Sequence, residues 1–427
     1  MTKRNVLVIG SGGREHSLGW KLSQSPSVGK IFFIPGNSGT AAIGENVEKL
    51  SNNFDEIITF VRENKIELTI VGPEDPLVNG IVDHFESEGL LIFGPSKFCA
   101  QLEGSKVFSK SFMNKYKIPT ASHEVFTKAQ EMELIEYLEL CSYPIVLKAD
   151  GLAAGKGVII PSTLPEALAA VKVYFDDNTF GDAGSTLVVE EFMDGEEASL
   201  FVLTDGKNYR LFPVAQDHKR IGDGDTGKNT GGMGAYAPAP IVTTDLLKQI
   251  EKEIVVPSLN GMRSENHPYT GILYIGLMIT AKGPKVVEYN VRFGDPECQV
   301  VMSLLESDLY VLCEEVAKKN LISKLSLRKG FAASVVLASK GYPDVYEKGK
   351  TILFSKPDSE NQFIFHAGTK TVNGKVTTNG GRVLNVVGVG ATLQECLNAA
   401  YEHIKSVSFE GMNYRSDIGK KGLRQND

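Results

Sequence analysis

Four short apolar runs in the first hundred residues each end in glycine or proline. They are NVLVIG (5–10), KIFFIPG (30–36), LTIVGPE (68–74) and LLIFGPS (90–96). Segments with the apolar spacing of helices separate them. Continuous rather than alternating apolar strands are typical of a parallel sheet that helices cover on both faces. The sequence therefore predicts an open parallel α/β domain at the N-terminus, with ligands bound beyond the carboxyl ends of its strands.

The chain has 427 residues, which is too many for a single hydrophobic core. We expect an α/β and α+β multidomain protein, divided into residues 1–104, 105–329 and 330–427. The middle part contains a small unit of strands and helices at about 123–189, and the last part is a small, strand-rich α+β domain. Two helices are expected in the middle part, at 244–260 and 296–316.

Composition limits the class of protein. The net charge of −7 argues against a general nucleic-acid or membrane surface. The longest apolar stretch, GILYIGLMI (271–279), is far shorter than the roughly 20 residues of a membrane helix, and no signal-peptide pattern is present. Five cysteines without metal-like spacing suit core positions in a reducing compartment. We expect a soluble cytoplasmic protein.

The stretch GSGGREH (10–16) follows the first predicted strand. A dinucleotide fingerprint would need glycine at its sixth position, where this chain has Glu15. Backbone amides at a helix start remain suited to one phosphate, and Arg14 could add a bidentate contact. The alternative is a glycine turn that serves only tight packing between strand and helix.

The stretch VLKADGLAAGKGVII (146–160) resembles a phosphate loop but lacks two of its residues. A Walker A loop would need glycine at position 150 and a hydroxyl residue at 157, where the chain has Asp150 and Gly157. Two strands joined by a glycine-rich turn instead predict a flap over a triphosphate. Lys148 would hold the phosphates from the strand, with Lys156 in the turn; alternatively, both lysines are solvated charges.

Acidic residues follow an apolar strand in VVEEFMDGEEAS (188–199). The strand end could offer its backbone amide and carbonyl to an adenine edge, and Glu197 could accept the ribose hydroxyls. Taken alone, such acids are more often part of a solvated turn.

The stretch KVVEYNVRFGDPE (285–297) carries the sharpest candidate site. On a strand, Glu288, Asn290 and Arg292 point to one face because successive side chains alternate. A carboxylate and an amide oxygen are ligands that suit Mg²⁺, and arginine can neutralise a transferring phosphoryl group. The alternative is an amphipathic strand with its polar face in water. The histidines show no metal-ligand spacing, and only His218 falls among the expected site residues.

Taken in order, the motifs resemble the ATP-grasp superfamily and, within it, the phosphoribosylamine–glycine ligase family. They are GSGGREH, PGNSGT, TIVGPE, QLEGSK, IPTA, KADGLAAGKGV, EEFMDGEEAS, QDHKR, DTGKNTGGMGAY, RFGDPE and HAGT. The resemblance covers essentially the whole chain. It implies an N-terminal substrate-phosphate domain, an ATP-grasp domain with a mobile lid, and a small C-terminal domain.

The polar stretch 218–236, which can bury almost nothing, is expected to be a mobile loop.

The resemblance also implies a reaction. ATP would phosphorylate glycine to glycyl phosphate, and 5-phosphoribosylamine would displace phosphate to give glycinamide ribonucleotide, the second step of de novo purine biosynthesis. ATP and Mg²⁺ or Mn²⁺ are the implied cofactors. The partners are then small molecules, with no nucleic acid or membrane, and the chain is expected to be a monomer, with a dimer as the alternative.

Site residues follow from the same resemblance. Those implied for ATP are Lys106, Lys148, Gly155, Lys156, Gly157, Glu190, Glu191, Phe192 and Glu197. Those implied for the other substrates are Gly12, Gly13, Arg14, Asn37, Glu74, Asp217, Arg220 and Gly294. Glu288 and Asn290 would hold the metal, and Arg292, Asp295 and Lys219 would serve catalysis. The preceding strand lacks the magnesium carboxylate of many ATP-grasp enzymes, so either water completes the shell or Glu297 contributes.

Two other functions remain open at this point. One is a carboxylase-type ATP-grasp enzyme that activates bicarbonate, which would share the fold and the lid. The other is a nucleotide-binding regulator without turnover, which would have no need of the face formed by Glu288, Asn290 and Arg292.

Overall fold

The computed structural model describes residues 3–47, 53–152, 157–175 and 184–424. Its strands are β1 (Arg4–Gly10), β2 (Val28–Pro35), β3 (Glu45–Asn46), β4 (Ile66–Val71), β5 (Ile92–Phe93), β6 (His123–Thr127), β7 (Ile145–Ala149), β8 (Val158–Ile159), β9 (Thr186–Glu191), β10 (Glu196–Asp205), β11 (Tyr209–Leu211), β12 (Gln216–Asp217), β13 (Arg220–Gly222), β14 (Thr226–Asn229), β15 (Gly234–Ala237), β16 (Thr270–Thr280), β17 (Gly283–Asn290), β18 (Phe331–Ser339), β19 (Leu353–Phe354), β20 (Gln362–His366), β21 (Thr369–Val372), β22 (Lys375–Thr378), β23 (Arg382–Gly390), β24 (Val407–Ser408) and β25 (Met412–Asn413).

Helices connect and cover these strands. They are α1 (Gly13–Leu22), α2 (Thr40–Ile43), α3 (Phe54–Glu63), α4 (Glu74–Val78), α5 (Ile81–Ser87), α6 (Lys97–Gly104), α7 (Lys106–Lys115), α8 (Glu131–Leu140), α9 (Leu164–Phe175), α10 (Thr244–Ile250), α11 (Val256–Ser264), α12 (Glu297–Leu304), α13 (Leu309–Ala317), α14 (Leu393–Ile404) and α15 (Lys420–Arg424). Within the described ranges, none is long and apolar enough to cross a membrane.

The N-terminal sheet is parallel, with strand order β3-β2-β1-β4-β5. Val8 of the central strand lies opposite Phe33 on one side and Ile70 on the other, and all three are buried. The prediction of a buried parallel sheet is thus confirmed. β1 and β4 end next to each other, so the segments that follow Gly10 and Val71 meet at one edge of the sheet.

The small unit near residues 123–189 is an antiparallel sheet, β6-β9-β7-β8, with α8 and α9 against it. Its helices contribute Leu134, Leu138 and Val171 to a hydrophobic cluster that belongs to this unit alone. Such a unit can move as a body because its core is its own. We refer to β6–β9 with α8 and α9 as the lid.

The central sheet has the order β11-β10-β16-β17 and is antiparallel. Along β16 and β17, Gly276 lies opposite Glu288 but Leu277 lies opposite Val286, so Val287 is an extra residue. A bulge of this kind bends a strand and turns its following side chains. It precedes the candidate metal ligands directly.

The third large sheet has the order β12-β15-β18-β23-β20 and crosses the boundary expected at residue 330. Its strand β12 directly precedes the stretch 218–236, in which a mobile loop was expected, and its strand β15 lies largely within that stretch. That expectation is wrong for Met233 to Tyr236, which are all buried. Small residues let β15 approach β18 closely; a Cβ on Gly234 would lie 2.7 Å from the carbonyl oxygen of Ser334.

Two predicted helices differ from expectation. The one expected at 296–316 is two helices, α12 and α13, because Leu305 is extended and Asp308 starts a new helix by accepting a hydrogen bond from the amide of Tyr310 at 2.9 Å. The one expected at 244–260 continues to Ser264 through a π-helical turn at Glu251–Val255.

Candidate active site

A cleft of about 980 Å³ lies between the N-terminal sheet, the lid and the central sheet. The structure brings most of the expected site residues to its walls. They are Gly12, Arg14, Glu74, Lys106, Lys148, Gly157, Glu190, Glu191, Phe192, Glu197, Asp217, Lys219, Arg220, Glu288, Asn290, Arg292, Gly294 and Asp295. Gly155 and Lys156 lie outside the described residues.

The cleft wall under the lid contains a buried ion triad. The carboxylate of Glu190 lies 2.9 Å from the ammonium group of Lys148 and 3.1 Å from that of Lys110. All three side chains are almost fully buried. Burial lowers the pKa of Lys110 to about 8. Two ammonium groups against one carboxylate leave this wall with a net positive charge at neutral pH.

The glycine-rich turn of the lid is tied to the start of α7. The carboxylate of Asp150 accepts hydrogen bonds from the hydroxyl of Ser105 at 3.0 Å and the amide of Val107 at 3.1 Å. Lys106 donates to the carbonyl of Gly151 at 3.0 Å. The aspartate that breaks the Walker pattern therefore anchors the turn, because its carboxylate occupies the exposed amides of a helix N-terminus.

Side chains on both walls make the lid end of the cleft partly apolar. Val146 and Val158 line it from the lid, and Met278 and Val287 line it from the central sheet. Glu191 at the end of β9 and Phe192 after it lie beside them, and both residues are exposed. An apolar slot with main chain along one edge suits a flat heterocycle.

Glu288 and Asn290 line the cleft at the end of β17, as the alternation pattern predicted. Neither side chain accepts a hydrogen bond from any described residue. Burial opposes ionisation of Glu288, but the ammonium groups of Lys219 and Lys148 hold its pKa below the ordinary value. An ionised carboxylate beside an amide oxygen is a donor set that fits Mg²⁺.

Arg292 spans two carboxylates at the centre of the cleft. Its Nε lies 3.1 Å from Glu74 and its Nη2 lies 2.9 Å from Glu103. Burial raises the pKa of Glu103 to about 7, although Arg292 opposes this. Because Glu74 and Glu103 each contact one arm of the guanidinium of Arg292, they hold it in a fixed plane. The sequence predicted an arginine facing the substrates but not the carboxylates that fix it.

The start of α1 differs from the expected phosphate site. The amide of Gly12 donates to Glu15 at 2.5 Å, and the amide of Arg14 donates to Asp295 at 3.2 Å. The guanidinium of Arg14 is also engaged, with Glu15 at 2.6 Å and the carbonyl of Phe293 at 3.0 Å. Two of the amides expected to bind phosphate are therefore occupied in this structure, one of them because the carboxylate of Glu15 folds back over its own helix start.

Gly13 and Asn37 do not line this cleft. A Cβ on Gly13 would lie 2.3 Å from Nδ2 of Asn385, so this glycine is required for packing against β23. The side chain of Asn37 donates to the carbonyls of Ser11 and His366, each at 2.8 Å. Asn37 borders a second, smaller cavity instead.

Lys219 and Glu197 form an ion pair across the cleft. Although burial opposes it, the carboxylates of Glu197 and Asp217 raise the pKa of Lys219. Burial also raises the pKa of Asp217, to about 7. Glu197, expected to be free for a ribose, is paired in this structure with a lysine that the sequence had placed among the catalytic residues.

The alternative metal ligand, Glu297, is engaged elsewhere. Its carboxylate accepts hydrogen bonds from the hydroxyls of Tyr274 at 2.9 Å and Ser199 at 3.2 Å. Across the described ranges, no group of three histidine, cysteine, aspartate or glutamate side chains is arranged to hold a metal ion. His218 packs in the interior, where its Nε2 accepts from the amide of Gly419 at 3.3 Å, and it does not line the cleft.

Three residues of the site were not predicted from the sequence. Lys110 lies four residues after Lys106 on α7, a spacing that places both on one helix face and could have indicated it. Glu103 and Arg382 carry no comparable local pattern, because their partners are distant in sequence.

Comparisons with known proteins agree with this geometry. Three family models of phosphoribosylglycinamide synthetase match the chain: the N domain at residues 4–103, the ATP-grasp (A) domain at 104–298 and the C domain at 332–421. A curated phosphoribosylamine–glycine ligase from Vibrio vulnificus (strain CMCP6) is 50% identical over 426 residues, which cover 98% of each protein. The chain belongs to the phosphoribosylamine–glycine ligase family.

Membership in the phosphoribosylamine–glycine ligase family makes the chain a ligase, and it confirms the resemblance carried by the motifs. The crystal structure of a phosphoribosylamine–glycine ligase from Thermotoga maritima is similar throughout, with a TM-score of 0.85, 37% identity and coverage of 97% of this chain and 99% of that one. The ATP-grasp architecture is shared more widely. A biotin carboxylase domain from Hydrogenobacter thermophilus, in complex with MgADP and bicarbonate, has a TM-score of 0.75 at 16% identity over 100% of this chain and 94% of that one. That likeness concerns the fold.

Proposed function

We propose that this chain joins glycine to 5-phosphoribosylamine through glycyl phosphate, with conversion of ATP to ADP and phosphate. One observation carries the proposal. A single cleft has a positively charged wall under a lid at one end and the fixed guanidinium of Arg292 toward the N-terminal sheet. Phosphoryl transfer depends mainly on positioning and charge neutralisation in a site that excludes water. In this cleft the fixed guanidinium supports positioning, and the positively charged wall supports charge neutralisation.

ATP would bind between the lid and the central sheet. The apolar slot takes the adenine, with the backbone of Glu190 to Phe192 along its edge. Lys148 and Lys106 reach the phosphates. Glu197 would reach the ribose once it separates from Lys219, and lid residues 155–157 would cover the triphosphate.

Glu288 and Asn290 would hold Mg²⁺ or Mn²⁺, since both oxygens are available and Glu288 is held in its ionised form. The cation supplies positive charge to the phosphate oxygens of ATP. The chain's own contribution is to hold these two oxygen donors at the end of β17, next to the transferring group.

Arg292 would face the carboxylate of glycine and then the acyl phosphate. Because Glu74 and Glu103 fix its plane, it needs no reorganisation as negative charge develops. Gly294 and Asp295 would border the acyl carbon, with Gly12 and Arg14 beside the attacking amine. Lys219, Asp217 and Arg220 would contact substrates from the opposite wall and take part in closure.

The test is ADP formation from ATP and Mg²⁺, with glycine and freshly generated phosphoribosylamine added singly and together. We expect turnover only with both substrates. Turnover triggered by bicarbonate would instead support the carboxylase alternative. ATP binding without turnover in any mixture would support the regulator. Gel filtration at the assay concentration tests the proposed monomer.

Glu288→Gln separates the enzyme from the regulator. The substitution keeps the size of the side chain but removes the charge that suits the cation. An enzyme should lose most of its turnover and much of its Mg²⁺ dependence, whereas a regulator should be unaffected.

A further inference from the structure

A second cavity, of about 300 Å³, lies between the N-terminal sheet and the third sheet. Its walls come from both parts of the chain: Ser11, Gly12, Gly36 and Asn37 on one side, and Tyr342, Ala367, Gly368, Thr369, Asn379 and Arg382 on the other, with Asp295 between them. We call it the rear cavity. Gly36 and Asn37 of the motif PGNSGT line it, as do Ala367 to Thr369 of HAGT, and the function proposed above gives these residues no role.

The rear cavity continues from the main cleft. Ser11, Gly12, Asp295 and Arg382 line both spaces. A ligand with two ends could therefore reach the acyl centre with one end and the rear cavity with the other. Such a ligand must pass the turn at Asp295.

Arg382 provides the rear cavity with a positive charge, and part of its guanidinium remains available to donate hydrogen bonds to a ligand. Its Nη1 donates to the carbonyls of Asp295 at 2.5 Å and Gly231 at 2.6 Å, which fixes the guanidinium. Its Nε and Nη2 donate to no acceptor in the described part of the chain. Since these two groups form one edge of the planar fork, they match two oxygens of a tetrahedral anion.

Asp295 does not cancel this charge on its own. Its carboxylate accepts hydrogen bonds from Gln299 at 2.9 Å and from the amide of Arg14 at 3.2 Å, and it lies 3.5 Å from Nη1 of Arg382. The acid thus faces the engaged side of the arginine. The free edge remains for a ligand.

Glycines make the walls of the rear cavity largely backbone. A Cβ on Gly368 would lie 2.5 Å from Cα of Gly380, and Gly36 has a φ of +73° with a Cβ position 2.2 Å from Asn46. Asn37 joins the two walls through the carbonyl of His366. Walls of this kind let a compact polar group approach the main chain closely.

We propose that the rear cavity is the subsite for the 5′-phosphate of the amine substrate, held by Nε and Nη2 of Arg382. This rests on the proposed function. A phosphorylated sugar with an amine at its other end fits the connected pair of cavities: the phosphate lies in the rear cavity, and the amine lies beside Asp295 and Arg292. It also explains how phosphate is bound when carboxylates occupy the amides of Gly12 and Arg14 at the start of α1.

Arg382→Gln tests the subsite, with Arg328→Gln as the matched control, because the guanidinium of Arg328 donates to Asn361 and Arg328 lines neither cavity. We expect Arg382→Gln to raise KM for phosphoribosylamine and Kd for ribose 5-phosphate by about tenfold to hundredfold, the effect of losing a charge-assisted pair. KM for ATP and for glycine should change by less than about twofold. Arg382→Lys should lose less, since it keeps the charge without the fork.

Three probes identify the ligand chemistry in calorimetric titrations: ribose 5-phosphate, ribose and inorganic phosphate. Ribose 5-phosphate should bind most tightly, phosphate more weakly, and ribose not measurably; both phosphate probes should weaken in Arg382→Gln. Equal binding of ribose 5-phosphate by the variant and the parent enzyme would overturn the assignment. So would a variant whose KM for ATP rises as much as that for phosphoribosylamine, since this indicates a purely structural arginine.

Asn379→Asp provides a second test that does not remove an interdomain contact. The side chain is exposed at the rim of the rear cavity, so an added negative charge should weaken ribose 5-phosphate binding severalfold, whereas Asn379→Gln should not. Unchanged binding in Asn379→Asp counts against the subsite. In all these cases the parent enzyme must still require glycine and phosphoribosylamine; if it does not, the proposed function fails independently of Arg382.

Discussion

Charge balance in the triad of Lys110, Glu190 and Lys148 makes a quantitative prediction. Lys110→Met should weaken ATP binding by leaving Glu190 to neutralise Lys148. Adding Glu190→Gln to that variant should restore binding, because Lys148 is then left as an uncompensated positive charge. A purely structural role for the triad predicts the opposite, since each substitution removes another buried interaction.

The magnitude follows from the geometry. The two ammonium groups lie 3.1 and 2.9 Å from one carboxylate. A phosphate held by Lys148 is then roughly 8 Å from Lys110, and at an effective dielectric constant of about 20 one unit charge contributes about 2 kcal/mol. That corresponds to about a thirtyfold increase in Kd for Lys110→Met. The double variant should return to within about threefold of the parent enzyme.

Calorimetric titration at neutral pH, with ATP and with adenosine, measures the effect. Only ATP binding should change, because adenosine has no phosphate. Lys172→Met, an exposed lysine on the outer face of the lid, controls for net charge. The reasoning is refuted if the double variant binds ATP no better than Lys110→Met, or if adenosine weakens equally.

Other features of the structure give three further predictions. Arg292→Lys should lower kcat by about tenfold or more while KM for ATP stays within about twofold, because a point charge cannot span two carboxylates; unchanged turnover in steady-state assays would contradict this. Burial lowers the pKa of His16 to about 3, so the unfolded state binds a proton that the folded state excludes, and the contribution of His16 to stability should fall by about 1 kcal/mol per pH unit as the pH falls from 6.5. Denaturant titrations at several pH values measure the free energy of unfolding. Its dependence on pH should be less steep in His16→Gln but unchanged in His84→Gln, a control at the surface. Gly13→Ala should lower the free energy of unfolding by about 1–3 kcal/mol in the same titrations, because its Cβ would meet Asn385.

Features set by local pattern could be predicted from the sequence. Continuous apolar runs identified the parallel sheet, and the alternation in KVVEYNVRF placed Glu288 and Asn290 on the cleft. These predictions succeed because the periodicity of apolar residues, and with it the face that is buried, can be recognised within about a dozen consecutive residues.

Features set by distant partners could not be predicted. β15 (Gly-Ala-Tyr-Ala) is too short to show an apolar pattern of its own, and it is buried against β18 about a hundred residues later. The fold-back of Glu15 onto the amide of Gly12, and the two carboxylates around Arg292, likewise depend on tertiary contacts. Glycine-rich sequence indicated a phosphate loop at α1 but could not indicate that carboxylates occupy the amides of Gly12 and Arg14.

The shared sheet has a consequence for biosynthesis. β15 obtains its neighbour β18 only when residues near Val335 have left the ribosome, which at common elongation rates takes roughly 5–20 s after β15 itself. During that interval the edge of β15 that later pairs with β18 has no hydrogen-bonding partner, and its residues, which are buried in the folded protein, are exposed. Unpaired strand edges promote aggregation. A fragment ending at residue 329 would keep this edge permanently. Although the last hundred residues supply little of the main cleft, they are therefore expected to be essential for a soluble product.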